Sequence, residues 1–472
     1  MEFFENFLKK DINLDNIAKS LNSLVQSLSQ KLLFKDWINQ TREIIEIPEK
    51  EIIFFIQKNL LLSLKFKNKQ FNYKLKRNFS IIYFFIFNLF IIKCISLKKR
   101  KSSKENFDLL IDNISSNYEL SCYDDLLNFI PPERIIVRST IKELKNSNYR
   151  IVFKKNFNLT FQECFLLMKL SFSTLLKSYQ LNINLFFLLL RIVKEYFLYK
   201  RFFEKLKVKN IIMHQHYYSS NIKNYLFRMN NGKNSCLIQK NINTENSNGY
   251  YYDADIIFGF SETTKILNKK TFSQLGKNIS VGSFFLKKNL DDIITDNNYK
   301  FDILYLGGND LGPGGYYDTY PEYGKDYLMQ LEWLINFSEK YPNFSIGFKH
   351  HSNNNDNFEK NFFSNSKIIF LDQNLNSYRF AYNSNFIVSW ASTMIIEMTQ
   401  FNKCCYFLNP GFRNNQFLSN IHDFKSISLE SFENFEKSFF IAKKNKFTKK
   451  YKFTYCENSK NLFEKIVKHL NI

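Results

Sequence analysis

The sequence predicts an α/β protein built as two Rossmann-like, doubly wound domains behind a helical N-terminal extension. Three observations predict it. The chain has 472 residues, which exceeds one ordinary core and suits two or three domains. Short apolar runs bounded by polar residues recur from about residue 105 to about residue 410, the pattern of strands buried on both faces of a parallel sheet. Helix-length tracts separate those runs, giving a βαβ alternation.

Residues 1–104 form the extension. Up to residue 78 it reads as short helices rich in Leu, Ile and Lys. Phe79–Leu97 is the most apolar stretch of the chain, interrupted by Asn88 and Lys93. Lys74-Leu75-Lys76-Arg77 precedes it and Lys98-Lys99-Arg100-Lys101 follows. A membrane span takes about 20 apolar residues, and basic residues on both sides argue against a simple span. The expectation is an interfacial segment on anionic lipid; the alternative is a buried helix of a peripheral subdomain.

The first α/β domain is expected over 105–282. Its strands are Phe107–Asp112, Arg134–Val137, Arg150–Phe153, Lys209–His214, Ser235–Gln239 and Ala254–Gly259, with a helical tract over about 160–206 and a helix near 219–230. The polar stretch 283–300 reads as the linker. The second domain, 301–472, has strands at Asp302–Leu306, Ser345–Lys349, Ile368–Leu371, Phe386–Ser389 and Cys405–Leu408, with helices at 322–341, 376–383 and 392–401. The two domains are expected to face a cleft.

Composition narrows the function classes. Hydrophobic residues are 44% and charged residues 23%, which fits a globular chain rather than a disordered one. The net charge of +22 favours anionic partners such as nucleotides, anionic lipid or nucleic acid. The basic residues are spread along a chain rich in Lys, Asn, Ile and Phe, and no recognition motif accompanies them, so no nucleic-acid partner is expected. Seven Cys without framework or metal spacing read as free thiols in a reducing compartment. Met1–Lys10 has no apolar core of a signal peptide, so the cytoplasm is expected, with peripheral attachment to the inner face of the plasma membrane through 79–97.

Ligands of open parallel sheets sit beyond the carboxyl ends of the strands, and three features of the second domain fall there. Gly307-Gly308-Asn309-Asp310-Leu311-Gly312-Pro313-Gly314-Gly315 follows a strand and holds five of the 13 Gly in nine residues. Its backbone N–H groups can converge on an anion or a sugar, although it is neither a Walker nor a dinucleotide fingerprint. Lys349-His350-His351-Ser352 ends another strand, a cation with imidazoles suited to a diphosphate and to protonating a leaving oxygen. Ser389-Trp390-Ala391-Ser392-Thr393 leads from a strand into a helix, offering hydroxyls and N–H groups, with Glu397 one turn on. In the first domain, His214 and His216 end a strand. They are candidates to position or deprotonate an acceptor, or equally a structural His pair near the hinge, with Asp112, Asp253 and Asp255 as alternative bases. No cluster with metal-ligand spacing appears.

The order strand–Gly loop, Lys-x-His at a strand end, then Ser-x-x-Ser-Thr-x-x-x-Glu resembles the donor domain of GT-B glycosyltransferases. It is most similar to bacterial surface-polysaccharide sialyl-, polysialyl- and Kdo-transferases and to the related polyglycerol-phosphate transferases. The resemblance is strongest at 302–411. It implies that His351, Ser392 and Thr393 bind the donor phosphate, and places Glu397 near the nucleotide ribose. Two departures are visible: His351 is followed by Ser352 rather than Pro, and Leu237-Ile238-Gln239-Lys240-Asn241 stands where relatives carry Gln-His-Gly.

The resemblance implies a metal-independent transferase without a cofactor, moving a sugar or glycerol phosphate from a CMP- or CDP-linked donor to a glycan or lipid-linked glycan. The expected catalytic residues are His214, His216 and His351. Gly307, Gly308, Gly314, Gly315, Lys349, His350, Ser389, Ser392, Thr393 and Glu397 are expected on the donor. The rival readings are an inactive membrane scaffold of the same fold and a nucleic-acid-binding protein.

Overall fold

Consecutive apolar residues along a strand fill two different cores, and this chain uses them so. Leu109 and Ile111 enter one core with Ile135 and Val137, while Leu110 and Ile136 enter the core on the opposite face. The computed structural model describes residues 23, 25–28, 30–65, 77–95, 105–142, 144, 148–153, 158–216, 219–241, 251–262, 273–294, 300–308, 321–351, 358–372, 374–390, 392–410, 426–470 and 472.

The first sheet comprises β1 (Glu105–Ile114), β2 (Ile135–Ser139), β3 (Arg150–Phe153), β4 (Leu206–Met213), β5 (Asn234–Ile238), β6 (Asp253–Gly259) and β7 (Gln274–Ser280). The second comprises β8 (Ile303–Leu306), β9 (Ile346–Lys349), β10 (Ile369–Leu371), β11 (Phe386–Ser389), β12 (Cys404–Leu408) and β13 (Ser428–Leu429). Every pairing between these strands is parallel. The orders are β3-β2-β1-β4-β5-β6-β7 and β10-β9-β8-β11-β12-β13. Each sheet therefore starts at its centre, steps out to one edge, then returns and builds the other. That is the Rossmann order, and it creates a switch point where neighbouring connections leave in opposite directions. The switch lies between β1 and β4 in the first sheet and between β8 and β11 in the second.

Helices α1 (Leu32–Ile45), α2 (Glu49–Lys65) and α3 (Ser80–Lys93) are the main described elements of the extension. Within the first domain come α4 (Asn117–Ser121), α5 (Phe161–Gln180), α6 (Phe186–Lys205) and α7 (Asn221–Met229). The tract read as one helical region over 160–206 is two helices. A Thr160–Glu163 capping box starts α5, and Asn182, at φ 56°, turns the chain between them. The extension shares one core with α5, α6, α7 and one face of the first sheet, and Trp37 Nε1 donates to Thr174 Oγ1 at 3.1 Å.

The stretch expected as a polar linker contains α8 (Phe284–Ile294), which sits between both domains. Its Phe284 lies in the core of the first sheet, and its Leu286 and Ile293 lie in that of the second. In the second domain follow α9 (Pro321–Lys340), α10 (Phe358–Phe362), α11 (Ser377–Asn383), α12 (Met394–Met398) and α13 (Phe432–Lys444). The last helix, α14 (Leu462–Leu470), crosses back and packs Leu462, Phe463, Ile466 and Leu470 on the first sheet. All seven cysteines are buried thiols.

Candidate active site

The switch point of the second sheet gathers the three motifs. Gly307 N–H donates to the Lys349 carbonyl at 2.9 Å. A Cβ on Gly307 would stand 3.0 Å from that oxygen and 3.4 Å from the His351 nitrogen, so the glycine is what lets the ends of β8 and β9 touch. On the other side of β8, Ser389 Oγ donates to the Leu306 carbonyl at 2.7 Å and accepts from Ser392 N–H at 3.1 Å. Ser389 is fully buried and spent on pinning the β11–α12 turn to β8. Ser392 and Thr393 follow half-buried; Ser392 Oγ accepts from Met394 N–H at 3.3 Å. Thr393 stands at the helix start in helical geometry, without a side-chain cap bond. Gly308 lies beside Gly307, whereas Gly314 and Gly315 lie outside the described residues.

The Lys349-His350-His351 run splits by burial. His351 is half-buried at the strand end. His350 is buried against Phe370, with Nδ1 3.5 Å from Glu359 Oε2; Glu359 also accepts from Tyr327 OH at 2.8 Å. Lys349 is buried and donates to the His350 carbonyl at 2.9 Å. Burial pushes its ammonium down to about 8, partly opposed by Asp372, which leaves it mostly charged at neutral pH.

Glu397 is completely enclosed. Its carboxylate accepts from the Ser283 hydroxyl and, at 3.0 Å, from Tyr378 OH. Both oxygens are engaged by protein hydroxyls, so its direct task is to tie the residue before α8 to α11 rather than to reach a ribose. Burial pushes its carboxyl up to about 7, with the Ser283 and Tyr378 hydrogen bonds opposing.

The switch point of the first sheet holds a second polar group. Ser116 Oγ caps α4 by accepting from Glu119 N–H at 3.1 Å. The Glu119 carboxylate takes Ser115 N–H at 2.7 Å, Ser115 Oγ at 2.6 Å and Gln215 Nε2 at 2.9 Å. His214, just past β4, is bonded through Nδ1 to Tyr123 OH at 2.9 Å, and its Nε2 stands 3.7 Å from Glu119 Oε1. Lys240 Nζ, beyond β5, is also 3.7 Å from that oxygen. Burial pushes His214 down to about 4 despite Glu119, so the ring is neutral. Burial opposes the charge on Glu119, but the Ser115 bonds, His214 and Lys240 outweigh it and hold its carboxyl below the usual range.

His216 accepts Lys240 N–H at 3.0 Å and lies edge-on to Tyr252; burial pushes it down to about 3. Glu119 escaped the sequence reading although Ser116-x-x-Glu119 follows a strand. Such a pattern signals a helix start, and here the same Glu turns back toward the end of β1.

The alternative acids are placed elsewhere or neutralised. Asp112 is buried between Arg138 and Lys223; burial alone would raise its carboxyl, and the two cations hold it far below the usual range. Asp253 and Asp255 stand at the amino end of β6, away from the ligand edge, where Asp255 caps Ser235 at 2.8 Å. Among the described residues, no group of three or more His, Cys, Asp or Glu could hold a metal ion.

No family model matches the sequence, and no curated protein matches it. Solved structures do show general likeness. UDP-GlcNAc 2-epimerase from Neisseria meningitidis, bound to UDP-GlcNAc, is 11% identical over 77% of this chain and 99% of its own, with a TM-score of 0.45. A variant of the wall teichoic acid polymerase TagF is 11% identical over 83% and 97%, with a TM-score of 0.46. MurG from Acinetobacter baumannii is 11% identical over 77% and 99%, with a TM-score of 0.38. The architecture rests on the two sheets themselves.

Proposed function

We propose that the chain is a GT-B-type glycosyltransferase. It takes a sugar, or glycerol phosphate, from a CMP- or CDP-linked donor and passes it to a hydroxyl of a glycan or lipid-linked glycan. One observation carries the reading: both sheets have the Rossmann order, and both switch points carry polar chemistry where ligands of such sheets bind.

The donor phosphates lie over Gly307 and Gly308, with His351, Ser392 and Thr393 around them and the Lys349 charge beneath. The acceptor hydroxyl approaches Glu119, which His214, Ser115 and Gln215 hold in place, and His216 fixes the Lys240 backbone beside it. The acceptor oxygen attacks the anomeric carbon, or the phosphorus of a glycerol phosphate donor. Its proton passes to Glu119. The bond to the donor phosphate breaks, and the nucleotide departs with the charge that His351, the hydroxyls and the backbone N–H groups stabilise. Glu397 acts through placement, fixing α8 between the domains. Free thiols and a nucleotide donor both suit a cytoplasmic place of work.

The experiment is turnover of CMP- and CDP-linked donors by the wild type, His351→Ala and Ser392→Ala/Thr393→Ala. Losing contacts to a leaving group costs about 3 kcal/mol of barrier, a hundredfold or more in rate. Wild-type turnover in both variants contradicts the site, and donor turnover absent from the folded wild type favours an inactive scaffold.

A further inference from the structure

The extension leaves an apolar face uncovered. In α3 the side chains Ile81, Ile82, Phe85, Ile86, Leu89 and Ile92 are each 46–61% exposed, while Phe87 and Ile91 are buried against the body. At 3.6 residues per turn, those exposed positions occupy one side of the helix. In α5, Phe161, Phe165, Phe172 and Leu176 are 61–72% exposed and lie within about 60° of one another around the axis.

The two faces are continuous. Phe172 contacts Phe84 of α3 with ring centroids 5.1 Å apart, Phe84 contacts the exposed Phe85 at 5.4 Å, and Ser171 Oγ bonds Asn88 Oδ1 at 3.1 Å. Exposed apolar patches of this kind mark interaction surfaces.

We infer that the joined faces of α3 and α5 dock on an anionic lipid surface, with α3 lying in the plane of the interface. Geometry excludes a span by this helix: 14 residues rise about 21 Å, short of a hydrocarbon layer of about 30 Å. Among the described residues, no helix is long and apolar enough to cross a membrane.

Charge selects the occupant. α3 contains no acidic residue, and the only one in α5, Glu163, is bonded to Arg201. Lys93 is exposed at the end of α3, Lys169 is exposed between Phe165 and Phe172, and Lys31 and Lys35 flank the 81% exposed Leu32 at the start of α1. Cations beside exposed aromatic and aliphatic side chains match anionic headgroups over acyl chains. A second copy fits less well, because a twofold contact would set this cationic face of a +22 chain against itself. The surface is independent of the proposed transfer and needs no donor.

The test is flotation of the full chain with vesicles of phosphatidylglycerol and phosphatidylcholine, and with phosphatidylcholine alone, at low and high salt. The expected result is binding to the anionic vesicles, weakened by salt, and at least tenfold weaker in Phe85→Asp/Phe172→Asp. Both side chains are 61% exposed, and circular dichroism checks that the variant is folded. Equal flotation with neutral vesicles overturns the headgroup assignment, and a protein that never floats overturns the docking. Sedimentation velocity completes it: a dimer abolished by the same substitutions shows that a second copy covers the face. Nucleotide binding, measured separately, reports on the transfer site alone.

Discussion

Glu397→Gln should abolish a pH dependence of stability that one buried carboxyl creates. The folded protein holds this group at about 7 against an ordinary 4.5, because burial penalises its charge more than Ser283 and Tyr378 stabilise it. An acid whose folded pKa is raised binds its proton more tightly in the native state. Stability is then greatest below pH 4.5, falls as pH rises from 4.5 to 7, and stays low above. A displacement of that size corresponds to about 3 kcal/mol, at about 1.4 kcal/mol per pH unit, most of which falls between pH 5 and 8. Glutamine keeps the shape and one acceptor oxygen but cannot ionise. Urea unfolding at pH 5, 6, 7 and 8 should show the variant close to the wild type at pH 5 and progressively more stable than it up to pH 8. Subtracting the two profiles isolates this group from every other titration in the chain. Parallel profiles would show that Glu397 does not titrate in this range in the folded protein.

Three further outcomes follow from the geometry. Gly307→Ala puts a methyl 3.0 Å from the Lys349 carbonyl and should cost about 1–3 kcal/mol in chemical unfolding while weakening nucleotide binding. Glu119→Gln should slow transfer by about a hundredfold or more, with nucleotide affinity unchanged, because it sits at the other sheet's switch point; equal kcat with the wild type would remove it from the reaction. His350→Ala should lower the melting temperature more than it lowers kcat, since that ring packs on Phe370, whereas His351→Ala should do the reverse.

The strands that carry the sites were legible because a central parallel strand buries both faces and reads as an unbroken apolar run. Ile303–Leu306 and Phe386–Ser389 are such cases. The edges were not. β7 reads Gln-Leu-Gly-Lys-Asn-Ile-Ser and is half exposed, and β13 has two residues. Helix α8 was hidden because its buried Phe284, Leu286 and Ile293 are interleaved with Lys and Asp that read as linker.

At the site, residue types were legible but their employment was not. Ser389 and Glu397 look like ligand groups in sequence, yet one hydroxyl is consumed by Leu306 and Ser392, and one carboxylate by Ser283 and Tyr378. Strand order, which makes β8 the neighbour of both β9 and β11, depends on crossovers that periodicity does not encode.

Ligand-induced stabilisation reports directly on a nucleotide site at the switch between β8 and β11. Melting of the wild type with CMP, CDP, UDP and GDP should rise for the cytidine nucleotides. A ligand at a hundredfold excess over its Kd adds about 2.7 kcal/mol. Ser392→Ala/Thr393→Ala should melt like the wild type without nucleotide and lose that rise. No shift with any of the four at millimolar concentration, or an undiminished shift in the double variant, would rule out a nucleotide site there.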